Sequence, residues 1–291
     1  MIQYLNMRCL LRTVTCFAVL TTACASPAFA QDKSVYHLFN PMPPALMREM
    51  STDRPDKTES PYTVDAGHFQ VEMSALDYTY DHEDPGAPLA RRDAYSIAPI
   101  NLKAGLLNNV DLQVVLEPYI NETVRDDGET TRQRGFGDVQ VRTKVNFWGN
   151  DGGETAFALM PFVKFPTASK GLGNGALEGG LIVPFAVGLP HDWSMGIMAE
   201  IDVNKNASNK DYHPELIQSI TFSHAIAGAL GGYIEFFNNT SLEDKAEWVA
   251  SVDVGLTYKL NKNVQADIGV NIGLNAPADD LNPFCGLSWR Y

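Results

Sequence analysis

The chain has 291 residues, 45% of them apolar and 20% charged, with a formal charge of −13 at neutral pH. That acidity argues against a nucleic-acid partner, which needs a basic face. The length admits one large domain or two small ones.

Residues 1–30 read as a secretory signal peptide. Arg8 and Arg12 form a basic start, Thr13 to Ala25 is mostly apolar, and Ala28-Phe29-Ala30 is a small-x-small cleavage site before Gln31. The apolar run is too short for a spanning helix, which needs about 20 residues. Cleavage between Ala30 and Gln31 removes Arg8 and Arg12, the only charges before Asp32, and takes the charge from −13 to −15. It also removes Cys9, Cys16 and Cys24, so Cys285 stands alone, without an internal disulfide or a cysteine-built metal site. The chain is expected to be exported.

Residues 31–65 show no strand or helix period and contain Pro41, Pro43, Pro44, Pro55 and Pro61. Within them STDRPDKTESP (51–61) crowds Asp53, Arg54, Asp56, Lys57 and Glu59. A catalytic cluster, a linker and a plug are all open for this run.

From residue 66 onward the dominant signal is alternation at period two. Val139, Val141, Thr143, Val145 and Phe147 oppose Asp138, Gln140, Arg142, Lys144 and Asn146. Val110 to Leu116, Trp248 to Leu260 and Val264 to Leu274 alternate in the same way. About twelve strands are expected, near 67–80, 94–104, 109–121, 136–148, 154–165, 176–188, 192–203, 213–223, 229–238, 247–260, 263–274 and 283–291. Many exceed the five or six residues usual in soluble sheets. They suit a tilted membrane strand of about 9–11 residues with an apolar outside and a polar lumen. Long polar connections (DHEDPGAPLARRD, ETVRDDGETTRQRG, PTASKGLGNGA, NKNASNKDYH) alternate with short ones (GLLNN, GNDGG, LPHD, NKN). Long outer loops and short periplasmic turns are the habit of outer-membrane barrels. The expected fold is therefore all-β, a transmembrane antiparallel β-barrel over 66–291. Trp148, Trp193, Phe147, Tyr119 and Tyr258 fall near expected strand ends, where girdle aromatics belong. Leu287, Trp289 and Tyr291 alternate at the C-terminus and resemble the signal read by the barrel-assembly machinery.

The run Thr52-Asp53-Arg54-Pro55-Asp56, then Thr58-Glu59-Ser60-Pro61, then Gly67, Gln70 and Glu72, carries a family resemblance. It is similar to the opening signature of the outer-membrane transporters grouped with the meta-pathway of phenol degradation. Gly135-Phe136-Gly137-Asp138 also fits. The resemblance implies a barrel related to the amyloid-secretion pores, themselves held to have twelve strands, and passage of small, aromatic or hydrophobic molecules. The coiled-coil heptads of the amyloid-secreting pores are missing from the N-terminal segment.

Enzyme signatures are lacking. There is no H-x-S of an outer-membrane phospholipase, no G-x-S-x-G and no H-E-x-x-H. Gly171 to Gly180 lacks the lysine-hydroxyl ending of a phosphate loop, and Asp126, Asp127 and Glu129 lack calcium-loop spacing. No enzyme activity, cofactor or metal is expected.

With apolar faces toward lipid, the lumen is lined by Glu72, Asp111, Glu117, Asp138, Arg142, Lys144, Lys164, Glu178, Glu200, Asp202, Glu235, Asp253, Lys259 and Asp267. These groups either cross-link the interior or present a transverse field that selects solutes. Asp53, Arg54, Asp56 and Glu59 suit pairing with lumen groups of opposite sign, which makes 31–65 a candidate plug; a disordered linker is the alternative. Two functions stand side by side. One is a channel for a small-molecule solute. The other is a non-conducting structural or adhesion barrel whose loops bind lipopolysaccharide or a partner. Outer-membrane lipid surrounds the barrel in either case.

Overall fold

The computed structural model describes residues 32–82, 91–126, 129–206, 209–243 and 248–291. The expected cleavage site, Ala30 and Gln31, and Asp127 of the candidate calcium loop lie outside the described residues.

The described residues form one antiparallel sheet. Its strands are β1 (Phe69–Asp81), β2 (Arg91–Ile97), β3 (Ile100–Leu107), β4 (Val110–Leu116), β5 (Tyr119–Asp126), β6 (Glu129–Gly135), β7 (Val139–Trp148), β8 (Thr155–Phe165), β9 (Glu178–Gly188), β10 (Trp193–Lys205), β11 (Tyr212–Ala227), β12 (Leu230–Ser241), β13 (Trp248–Asn261), β14 (Val264–Gly273) and β15 (Leu281–Arg290). Three pairs, β2/β3, β4/β5 and β6/β7, are halves of single staves, so the wall has twelve staves. β15 pairs with β1 from Gln70↔Arg290 to Tyr80↔Leu281, which closes the barrel. Closure pairs the strands of the lower wall on both sides, as hydrocarbon requires, and the free edge left in the sheet is that of β6, above the stave break.

The stave breaks have local causes. Pro99 and Pro118 cannot donate to a ladder, and they separate β2 from β3 and β4 from β5. Ala98, just before Pro99, has φ 57°. Phe136-Gly137-Asp138 separates β6 from β7. β1 accommodates the break with a register shift between Ser74 and Leu76, pairing with β3 below it and β2 above it.

One expected loop is sheet. ETVRDDGETTRQRG was expected to be a long polar connection, but most of it forms β5 and β6, which pair from Ile120↔Gly135 to Asp126↔Glu129. Thr and Val favour a pleated surface. Polar groups on both faces conceal that preference in a hydropathy pattern, because this hairpin rises past the apolar band. The stretch around 213–238 also runs longer than expected, through Ala227 in β11 and Ser241 in β12.

Alternation sorts the faces. Leu102, Val163, Ile197, Ile201, Ile234, Phe236, Leu256, Ile268 and Ile272 are exposed on the outside, while Glu72, Lys103, Asp111, Gln113, Lys144, Glu235 and Asp253 are buried inside. This is the inverse of a soluble protein. Phe147, Trp148, Trp193 and Tyr258 are exposed beside the short turns at one end of the barrel. Tyr119 instead begins β5, within a continuous stave.

Candidate functional site

Residues 51–65 lie against the inward face of the wall, and their polar groups bond to many strands. The Asp53 carboxylate pairs with Lys103 of β3 and with Lys144 of β7, the latter at 2.6 Å. It also accepts the Ser60 N–H at 3.0 Å, and its own N–H donates to Glu72 of β1 at 3.0 Å. Burial pushes the Asp53 carboxyl up, but Lys103 and Lys144 outweigh that and hold it well below the usual carboxylate range. Arg54 reaches Asp267 of β14 at 2.6 Å, donates to Ser74 and lies 5.6 Å from the Phe284 ring centre. Lys57 donates its N–H to Glu235 of β12 at 2.9 Å, and its ammonium lies 3.2 Å from Asp253 of β13. Thr58 donates both its N–H and its hydroxyl to Glu235. Glu59 pairs with Arg142 of β7. Asn146 donates to the Pro61 carbonyl, and Asp111 accepts the Val64 N–H at 3.0 Å. Asp65 is held by Arg48 and Arg290.

Of the expected lumen residues, Glu72, Asp111, Arg142, Lys144, Glu235, Asp253 and Asp267 therefore meet residues 53–64 directly. Lys259 pairs with Glu49 at the short-turn end and is half exposed. Glu117 and Asp138 do not reach this cluster. Glu117 lies against Gly137, and Asp138 accepts the Ala168 N–H at 2.8 Å, tying the 166–177 connection to the wall. Glu200 and Asp202 sit on adjacent inward positions of β10, with no cation within 4 Å among the described residues. Asp56 lines a cavity with Glu59. Burial, then the neighbouring Glu235, pushes Asp56 above the usual carboxylate range. Burial, then Asp53, pushes Glu59 up to about 7 against the pull of Arg142. Leu287 and Trp289 pair across to Met73 and Val71, and Tyr291 stacks on Phe69 with ring centres 5.9 Å apart.

Three features escaped the sequence reading. Lys103 was one; the signal was present, since Asn101, Lys103 and Gly105 alternate with Ile100, Leu102 and Ala104. Arg290, next to the terminal aromatic, holds Asp65 rather than facing lipid. The third is an apolar inward patch of Met160, Phe162, Ile182 and Met198 with Ile217. β8 and β9 are apolar on both faces around these positions, so the inward side shows only through the parity of Lys164 and Glu178 at their far ends. Met198 receives the Glu59 N–H on its sulfur at 3.4 Å.

The wall is electrostatically two-sided. Inward positions of β3, β4 and β7 carry Lys103, Arg142 and Lys144 with only Asp111 as acid. Those of β9 to β12 carry Glu178, Glu200, Asp202, Glu215 and Glu235 and no lysine or arginine. Residues 53–59 complement both sides, Asp53 and Glu59 toward the basic wall and Lys57 toward the acidic one. Open space lies at each end. A cavity of about 490 Å³ near the short turns is lined by Arg54, Asp56, Glu59 and Tyr62 and by Gly196 and Gly231. Another of about 510 Å³ near the long connections is lined by Asp77, Arg92, Glu117, Glu122 and Asn282.

Solved structures share this fold. An outer-membrane channel from Pseudomonas putida F1 superposes with a TM-score of 0.58 at 12% identity, covering 83% of this chain and 100% of its own length. The NanC porin matches at 0.48 and 11% identity over 76% of this chain and 98% of its own. The translocator domain of the autotransporter NalP from Neisseria meningitidis matches at 0.48 and 8% identity over 77% and 88%. At 12% identity the likeness to the Pseudomonas channel is one of fold, that of a bacterial outer-membrane barrel. A search of curated proteins by sequence gave no match. The family described as "Putative MetA-pathway of phenol degradation" matches residues 52–291, from the Thr52 that opens the charged run to the Tyr291 that stacks on the first strand, and the chain belongs to that family.

Proposed function

We propose that this protein is a narrow outer-membrane channel for small molecules, with residues 31–65 acting as its plug. The observation that carries the reading is the set of bonds from residues 53–59 to opposite sides of the wall. Asp53 reaches β3 and β7, Arg54 reaches β14, and Lys57 reaches β12 and β13. A non-conducting barrel has no need of a segment matched in charge to both sides of its interior, with cavities at both ends. Twelve staves lie between small barrels filled by side chains and wide porins, so a modest displacement of this segment changes a closed lumen into an open one.

The family name and the inward apolar patch around Met160, Ile182 and Met198 support a solute with an aromatic or other apolar body. The acidic face of β9 to β12 disfavours anions along that side. Export through the 1–30 signal, and assembly through Leu287, Trp289 and Tyr291, belong to the same proposal. The test is planar-bilayer conductance of the folded protein with and without residues 31–61. A larger, steadier conductance on deletion supports the plug, and silence in both forms overturns the channel.

A further inference from the structure

The sheet formed by β2, β5 and β6 continues past the stave breaks, and its outer face has a charge opposite to that of the whole chain. Glu122 and Arg92 point inward, where both line the cavity near the long connections and Arg92 lies 3.0 Å from Asp279. Alternation then sends Arg91 and Arg125 outward, and on the same face of β6 lie Arg132, opposite Thr123, and Arg134, opposite Asn121. Asp93 shares this face. It accepts from Arg125 at 2.6 Å and from Arg91 at 3.3 Å, and these two arginines sit directly opposite one another in the ladder. Like charges in that position repel, and one carboxylate serves both. Arg132 and Arg134 are exposed, two residues apart on one face, with no carboxylate within 4 Å among the described residues. Among the described residues of this face four arginines stand against one aspartate, in a chain with a formal charge of −13.

The height of this patch identifies what meets it. About ten residues of tilted strand cross the hydrocarbon. Counting from the exposed Trp148 at the short-turn end, the band closes near Asp138, at the break before β6. Arg134 and Arg132 lie four and six residues farther, roughly 10–15 Å above the hydrocarbon at a tilted rise of about 2.5 Å per residue. Tyr95 and Tyr119, cross-strand neighbours with ring centres 6.2 Å apart, mark the interface just below. An outward surface at that height faces lipid headgroups rather than the lumen. Arginine forks bind phosphate in two-pronged geometry, which lysine cannot do.

We propose that the outer face of β2, β5 and β6 binds a phosphorylated glycolipid of the outer leaflet, with Arg132 and Arg134 gripping one phosphate group and Arg91 and Arg125 flanking it. The site is independent of conduction, since none of these side chains faces the lumen.

The test titrates the purified full-length barrel, in detergent, with bisphosphorylated lipid A, with the same lipid after phosphatase treatment, and with inorganic phosphate. Binding is followed by native mass spectrometry and by the unfolding midpoint. Wild type is expected to bind the bisphosphorylated lipid and to lose at least about tenfold in affinity, about 1.4 kcal/mol, when the lipid is dephosphorylated. R132A/R134A should show a similar loss, with heat-modifiable migration and conductance unchanged. If that variant does not fold, Arg91→Gln with Arg125→Gln asks the same of the flanking pair. Equal binding of the dephosphorylated lipid, equal binding by folded variants, or inorganic phosphate competing as well as the lipid would each overturn the assignment.

Discussion

Replacing Asp53 by alanine removes the one group that ties two lysines of the wall to the segment inside the barrel. Lys103 retains Glu72. Lys144 is fully buried, and Asp53 is its only carboxylate partner within 4 Å among the described residues. Breaking a buried pair from one side costs about 3–5 kcal/mol, because the remaining charge is left uncompensated. Lys144 escapes that cost only if the segment lifts and water enters. The docked-to-released equilibrium should therefore shift by roughly a hundred- to a few-thousandfold. Two assays read it: open probability in planar bilayers, and tryptic cleavage after Lys57, whose backbone N–H is now held by Glu235. Both should rise sharply in D53A. Adding Lys144→Met removes the stranded charge at similar volume and should restore most of the docking, giving a coupling energy well above 1 kcal/mol. Wild-type conductance and cleavage in D53A would refute the reasoning.

Glu59 gives a pH dependence of definite sign. Its docked value of about 7 lies above the ordinary 4.5, so the docked segment holds more protons than the released one between these limits. Docking therefore weakens as pH climbs through them, open probability should rise from pH 5 to 8, and Glu59→Gln should flatten most of the rise. Gly196→Phe should narrow the lumen itself, because a Cβ there would lie 2.8 Å from Thr221 of the wall, on the side that Thr58 faces; a conductance below that of the 31–61 deletion alone, when the substitution is added to it, checks it. Tyr291→Ala removes the stacking on Phe69 at the closing seam and should lower the yield of heat-modifiable barrel several-fold, measured by gel migration of membrane fractions.

The barrel was legible because lipid outside and charge inside force an alternation that survives in the sequence, as in Val139 to Trp148. Legibility failed where the two sides of a strand stop differing. Met160 and Ile182 point inward on strands that are apolar on both faces and received no assignment, and Arg132 and Arg134 rise on a hairpin polar on both faces that was expected as loop. The charged run 51–61 was legible as a cluster but not as a set of bonds. That Asp53 would find Lys103 and Lys144 depends on which strands become neighbours after closure, and β4 meets β7 only because the β5–β6 hairpin intervenes in sequence but not in the lower wall.

The central claim is that a polar lumen is held closed by residues docked within it. Single-channel recording in planar bilayers, comparing the protein from residue 31 with the form beginning at residue 62, tests it most directly. The account predicts small, intermittent openings in the first and a larger, sustained conductance in the second. Two silent proteins, both folded by heat-modifiable migration, would contradict it.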